Sequence, residues 1–296
     1  VDIDVLGALA VRENGLSITP TAPKPRQVLA LLALHADQVV PVSALIEELW
    51  AGEPPRSART TLQTYVLQLR ALIATALERG GPDPGPGPAG ASGAGAGSGA
   101  EGAPRTAKDV LLTLPGGYLL SSGGGTLDVR EFDRLAGTGY RAMDAGDFAG
   151  AARLLREALA LWSGPAFADV QGGVQLDMET RRLEETRLCA LDQRIEADLR
   201  LGRHRELLAE LTVLASRYRT HENLHGQFML ALHRSGRRGE ALDVYQRLRG
   251  TLVRELGLEP SVALRRLQRS ILMAGPESLT EAGSGADAGG ERLVRV

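Results

Sequence analysis

From Arg56 to Arg70 the chain carries Arg56, Arg59, Thr60, Gln63, Thr64, Gln68 and Arg70, recurring every three to four positions. Steps of three and four bring side chains onto one face of a helix. Glutamine amides can pair with the N6/N7 edge of adenine, arginine with O6/N7 of guanine, and threonine methyls can meet thymine, so this face has base-reading chemistry. Arg56 and Arg70, toward its ends, have the chemistry of phosphate clamps. Tyr65 falls at the edge of the face and reads as half packing, half contact. No Asp or Glu occurs between Pro54 and Leu77, which makes the stretch locally basic in a chain whose formal net charge is only −2. The competing reading is a solvated amphipathic helix with three arginines. Lys24 and Arg26 form a second candidate phosphate contact, because they open an earlier helix whose first amides point outward; a merely solvated helix start is the alternative.

These residues need a scaffold, and the hydrophobic period supplies one. Residues 1–20 alternate apolar and polar side chains around Asn14-Gly15, the pattern of a small antiparallel sheet with a hairpin turn. From Pro23 the spacing of Val28, Leu31, Leu32 and His35 turns helical, and a second helix from Ser43 carries Leu45, Ile46, Leu49 and Trp50. After the Gly52-Glu53-Pro54-Pro55 break, a third helix runs from about Arg56 to about Leu77. Successive residues about 100° apart place Leu62, Val66, Leu69, Ile73 and Ala76 inward, and Thr60, Gln63, Thr64, Leu67 and Gln68 outward. Val110–Leu114 and Tyr118–Leu120 flank Pro115-Gly116-Gly117 as a two-stranded ribbon, a wing. The first 122 residues are therefore expected to form a winged helix-turn-helix with a core of its own.

Residues from 80 to about 107 are dominated by Gly, Ala, Pro and Ser and read as a disordered insertion. Gly97 to Gly102 formally matches a dinucleotide-binding glycine pattern, but neither a strand nor an apolar helix adjoins it, so it reflects composition. From about residue 126 to 275 almost everything reads helical, and residues 276–296 read as a flexible tail. The helical part repeats: Gly202-Arg203 through Leu207, Leu208 and Leu211 returns 34 residues later at Gly236-Arg237, the tetratricopeptide period. An earlier copy begins at Gly146, with the surplus residues assigned to a loop around Ser163–Gly173. Glycine is expected to end the first helix of each pair, and the stack to present surface to protein partners. The fold class is thus mainly α with a small β component: an N-terminal winged helix-turn-helix plus a C-terminal tetratricopeptide-like helical-repeat domain.

Other residues point to no further chemistry. His221 and His225 have the i, i+4 spacing of metal ligands, but only Glu222 stands near as a third, so no metal is expected. Cys189, the one cysteine, is read as a packing residue, and Trp50 and Trp162 as core. No nucleophile motif accompanies any Ser, His and acid combination. The expectation is a non-enzyme without cofactors. Neither a signal peptide nor a membrane span is seen, so a cytoplasmic, nucleoid-associated protein is expected. Of the 34 basic residues only Lys24 and Lys108 are lysines. With abundant Ala and Gly, this is the usage of a GC-rich, actinomycete-like genome.

The order of sheet, three helices and ribbon resembles the OmpR-type winged helix. Four blocks are similar to the Streptomyces antibiotic regulatory protein family: APKPRQVLALLALHAD, LIEELWAGEPPRSARTTLQTYVLQLRALI, LPGGYLL, and the run from HENLHGQFMLALHRSGRRGEALDVYQRL to LRRLQRSIL. Members join such a domain to a bacterial transcriptional activation domain of tetratricopeptide-like repeats. The resemblance implies an activator of a secondary-metabolite (antibiotic) gene cluster. It would bind direct repeats in double-stranded promoter DNA and recruit RNA polymerase; the partners expected are polymerase or its sigma subunit and, as a homodimer on adjacent repeats, a second protomer. No G-x-x-x-x-G-K-[ST] segment is present, so the nucleotide-hydrolysing domain of larger members is not expected. Two departures stand out: the long insertion, and Leu112 and Leu114 on the wing approach where a basic side chain would serve minor-groove contact. A helical-repeat adaptor or ligand-sensing protein, and a repressor using the same DNA surface, remain the alternatives.

Overall fold

The computed structural model describes residues 1–80 and 105–273. Most of the 80–107 insertion, the Gly97–Gly102 pattern within it and the 276–296 tail lie outside the described residues. The chain divides into two compact units, Val1–Leu191 and Asp192–Val296.

The first unit opens with β1 (Asp2–Asp4), β2 (Ala10–Glu13) and β3 (Leu16–Ser17), antiparallel in that order. Asn14 and Gly15 both have positive φ, 50° and 77°, as the two central residues of a type I′ hairpin turn require. α1 (Pro23–Leu34) starts on prolines, whose missing N–H costs nothing in a first turn. α2 (Val42–Trp50) ends where Ala51 and Gly52 both turn left-handed, and α3 (Ala58–Arg79) follows. α4 (Ala107–Val110) is one turn closed by a capping box between Thr106 and Asp109, so the chain has resumed regular structure by Ala107, at the end of the expected insertion. The wing hairpin is β5 (Leu111–Leu114) and β6 (Gly117–Leu120). Its turn has proline first and Gly116 at φ 82° second, the requirement of a type II turn. One strand was not foreseen: β4 (Val40–Pro41) pairs with β6, so the expected two-stranded ribbon is a three-stranded sheet of order β4-β6-β5. A two-residue strand containing proline has no alternation to detect.

Beyond Gly123–Gly125 the unit continues through α5 (Asp128–Asp144), α6 (Phe148–Ala160) and the first part of α7 (Val174–Arg200). One core joins them to the winged helix: Ile3, Leu31, Leu62 and Leu120 belong to the same buried cluster as Phe132, Trp162 and Leu183. Trp162 meets Phe132 edge to face at 5.6 Å and carries the Arg187 guanidinium 4.7 Å from its ring centroid. Trp50 packs against the same cluster half-buried. The glycine-rich joint therefore interrupts the backbone pattern but not the core, and the structural division falls within α7. The surplus between the first two repeats is split between a connection at 161–173 and the 27 residues of α7, rather than confined to a loop. Cys189, expected to pack, is exposed.

The second unit contains the end of α7, then α8 (His204–Arg217), α9 (Glu222–Arg234), α10 (Arg238–Leu256) and α11 (Val262–Met273). Leu207, Leu211, Leu224, Met229, Leu232, Ala241 and Leu248 form its interior. The repeat glycines do what their spacing implied. Gly146, Gly202 and Gly236 have φ of 77°, 78° and 81°. After each, the next residue donates its N–H to the carbonyl five positions back, the 6→1 bond of a Schellman motif: Asp147 to Ala142 O, Arg203 to Asp198 O and Arg237 to Leu232 O. His221 begins α9 as its N-cap, Nδ1 accepting from the Leu224 N–H at 3.3 Å. Among the described residues no cluster of metal-ligating side chains occurs, and no helix is long and apolar enough to cross a membrane.

Candidate nucleic-acid interface

α3 is amphipathic in the register its sequence implies. Leu62, Val66, Leu69, Ile73 and Ala76 are buried against the rest of the unit, while Arg59, Thr60, Gln63, Thr64, Leu67 and Gln68 are exposed. Leu67 is 63% exposed, an apolar side chain amid polar ones. The Thr64 hydroxyl already donates to Thr60 O at 3.1 Å. Arg56 is exposed in the turn before the helix. Tyr65 is half-buried and packs against the core, toward the packing side of its expected double role.

Three other expected contacts have partners inside the protein. Arg70 donates through Nε and Nη2 to Leu111 O at 3.1 and 2.7 Å and through Nη2 to Thr113 Oγ1 at 2.7 Å, bracing α3 against β5. Lys24 Nζ donates to Leu49 O at 2.7 Å, satisfying a carbonyl in the last turn of α2. Arg26 pairs with Asp169 and donates to Pro20 O at 3.1 Å. The structure thus brings Arg59, Thr60, Gln63, Thr64 and Gln68 together on one open face, and sets Lys24, Arg26 and Arg70 to holding elements in place.

Carboxylates that sequence reasoning passed over fasten this platform. The buried Glu48 on α2 accepts backbone N–H groups from Gly173, Gln175 and Leu176 at the start of α7, and the Gln27 amide at 3.0 Å. Such a carboxylate complements both the free amides and the positive end of a helix. Asp128 accepts from the N–H groups of Val5 and Leu6 at 2.7 and 2.8 Å, and Asp169 from Leu9 at 2.8 Å. Burial pushes the Asp128 carboxyl above its usual range, against the effect of the Leu6 and Val5 amides. Asp37 receives the N–H and hydroxyl of Ser122 and the Arg130 guanidinium at 2.8, 2.9 and 2.9 Å. No local motif marks these residues, since apart from Gln27, 21 positions from Glu48, the partners named lie about 85 or more positions away.

A helix packed on one side and open on the other, next to a β hairpin, is the arrangement that inserts into a major groove in winged-helix proteins. Two protein families match the chain. Residues 17–80 match the family described as transcriptional regulatory protein, C terminal, and residues 127–272 match the bacterial transcriptional activator domain. The chain is 50% identical over 278 residues to the regulatory protein DnrI of Streptomyces peucetius, covering 93% of each. The chain belongs to the Streptomyces antibiotic regulatory protein family. As such it is a transcriptional regulator with an OmpR-type domain and a tetratricopeptide-like activation domain. The transcriptional regulatory protein MoaR1 of Mycobacterium tuberculosis is 32% identical over 92% of this chain and 79% of its own length. A solved structure of Mycobacterium tuberculosis EmbR in complex with a low affinity phosphopeptide superposes with a TM-score of 0.76 at 31% identity, covering 92% of this chain and 64% of that one. This family member is similar to only 24% of the longer regulatory protein AfsR of Streptomyces coelicolor, at 35% identity.

Proposed function

We propose that this protein is a sequence-specific activator that reads promoter DNA with α3 and recruits RNA polymerase through its helical repeats. The observation that carries the DNA reading is the exposed, acid-free run Arg59, Thr60, Gln63, Thr64, Leu67 and Gln68 on a helix whose opposite face is fully buried. Gln63 and Gln68 suit adenine, Arg59 suits guanine, and Leu67 with the threonine methyls suits thymine. Arg56 supplies a phosphate contact at the start of the helix. Lys24, Arg26 and Arg70 act on DNA binding through the platform they brace. Family membership supports a target within a secondary-metabolite gene cluster, direct-repeat sites and two protomers side by side.

The test is a salt titration of binding to a promoter fragment from the protein's own gene neighbourhood against random duplex of equal length. A specific activator keeps a ratio of at least about a thousandfold between the two while both affinities fall with salt. Equal affinity for the two duplexes would remove the reading. Transcription with purified polymerase then separates activation from repression on the same site.

A further inference from the structure

Within the second unit, α8, α9 and α10 enclose an open cavity of about 610 Å³. Its apolar lining is Phe228, Val244 and Leu248, each less than one tenth exposed. Arg219, Arg247 and Arg254 stand in the same wall, and no Asp or Glu lines it among the described residues. The nearby acids are already paired: Glu240 with Arg237 at 2.6 Å, and Glu255 with Arg219 and Arg254 at 3.1 and 3.3 Å. Arg247 makes no hydrogen bond or close ion pair among the described residues. His225, buried in this lining, has Nδ1 against His221 O at 3.1 Å. Burial first, and the Arg247 charge among lesser causes, hold its imidazole below the usual range, so the positive charge here is that of the guanidinium groups.

The three guanidinium groups share one close carboxylate, Glu255, which sits on Arg219 and Arg254, so the wall keeps an excess of positive charge centred on Arg247. Guanidinium is also the side chain best shaped for carboxylate, sulfonate or phosphate oxygens. The volume lies in the range of small-molecule sites rather than of extended interfaces. We propose that this cavity binds a small amphipathic anion, its ring-sized apolar body on Phe228 and Leu248 and its acid group between Arg219, Arg247 and Arg254. Nothing in the DNA reading is needed for this, and binding can be measured without DNA.

A matched pair of probes tests it: 8-anilinonaphthalene-1-sulfonate and its uncharged analogue N-phenyl-1-naphthylamine, titrated by fluorescence into the full chain. The sulfonate should bind one-to-one and saturably, at least about tenfold tighter than the neutral analogue, as a charge-assisted contact implies. R247Q should weaken the sulfonate about tenfold and leave the neutral analogue unchanged. T251W, which fills the cavity, should abolish both, while R153Q on α6 should change neither. Equal affinity for the two probes, or undiminished sulfonate binding in R247Q, would overturn the proposal. So would displacement of the sulfonate by a decaglutamate peptide at lower concentration than the sulfonate itself needs, since that result would make the groove a docking site for acidic peptides.

Discussion

Oε2 of Glu48 accepts the backbone N–H of Gln175 at 2.8 Å, although 127 positions separate the two residues in the chain. The same carboxylate takes the N–H of Leu176 at 3.2 Å and that of Gly173, so the first helix of the helix-turn-helix is held to the start of α7 by one buried side chain. Removing it leaves several buried donors without a partner, each costing about 1–3 kcal/mol. E48A should therefore lower stability by about 3 kcal/mol in urea denaturation, and E48Q by less, since an amide oxygen still accepts. A loss under about 1 kcal/mol in E48A would show that water replaces the carboxylate freely.

The same relationship bears on how the protein can be cut. A fragment of residues 1–122 discards Phe132, Trp162 and Leu183 from a core shared with Ile3 and Leu120, and strips the Val5 and Leu6 amides of Asp128. A fragment of residues 1–191 keeps them all. We expect the longer fragment to unfold in one cooperative transition and the shorter to give a broad, shallow one, monitored by circular dichroism against urea. Equal cooperativity in both would show that the winged helix is self-sufficient.

The open polar face of α3 was legible in the sequence because a helix of 22 residues repeats its period several times, and Leu62, Val66, Leu69 and Ile73 declare the inward stripe. The repeat glycines were legible for a related reason: a left-handed residue recurring 34 positions apart admits few side chains. What escaped was tertiary. Arg70 in the basic stretch and Lys24 at the start of α1 have the chemistry of phosphate ligands, and only the fold shows Leu111 O and Leu49 O beside them. β4 escaped because two residues hold no pattern, and α7 because a continuous helix and an inserted loop of similar composition differ in tertiary packing alone.

The two kinds of α3 side chain should separate in binding experiments. Q63A removes an exposed side chain without structural partners in the described fold. It should cost about 1–3 kcal/mol at one base position, with thermal stability unchanged. R70A should act through the fold instead: losing the bonds to Leu111 O and Thr113 Oγ1 should lower stability by about 1–3 kcal/mol and weaken all DNA sequences alike. Melting temperature and a base-substitution series on the same duplex read both. A stable R70A with an altered base preference would reassign Arg70 to the reading surface.

Acid should loosen the joint around residues 122–130. The Thr126 backbone N–H, then its hydroxyl, holds the Asp2 carboxyl below the usual value of 3.8. For Asp37, burial raises the value, but the Ser122 N–H and hydroxyl and Arg130 together outweigh it and leave the carboxyl lowered. A depressed folded value means stability that is present above the unfolded pKa and lost as pH falls through the folded one. Both tethers are therefore intact at pH 7 and above about 4.5, and weaken as pH drops through and below 3.8. In urea midpoints measured from pH 7 to pH 3, D2N with D37N should flatten the acid limb relative to wild type; an unchanged limb would place the acid sensitivity elsewhere.

The repeat turns and the interior of α10 make opposite predictions for the same substitution. Gly202 and Gly236 stand in open space, where an added Cβ would meet nothing within 4 Å, but at φ of 78° and 81°. Alanine there has no steric clash to relieve and still pays for the left-handed backbone, about 1–2 kcal/mol per site. Gly250 is also open, with nothing within 4 Å, but lies inside α10 with an ordinary helical backbone. Alanine at that position should stabilise by about 1 kcal/mol, because glycine is a poor helix former. G202A and G236A should thus lower the urea midpoint and G250A raise it, all three retaining native circular dichroism. If G236A proved neutral, the turn before α10 would have to close without the left-handed residue, and the shared Schellman geometry of Gly146, Gly202 and Gly236 would not be what ends the first helix of each pair.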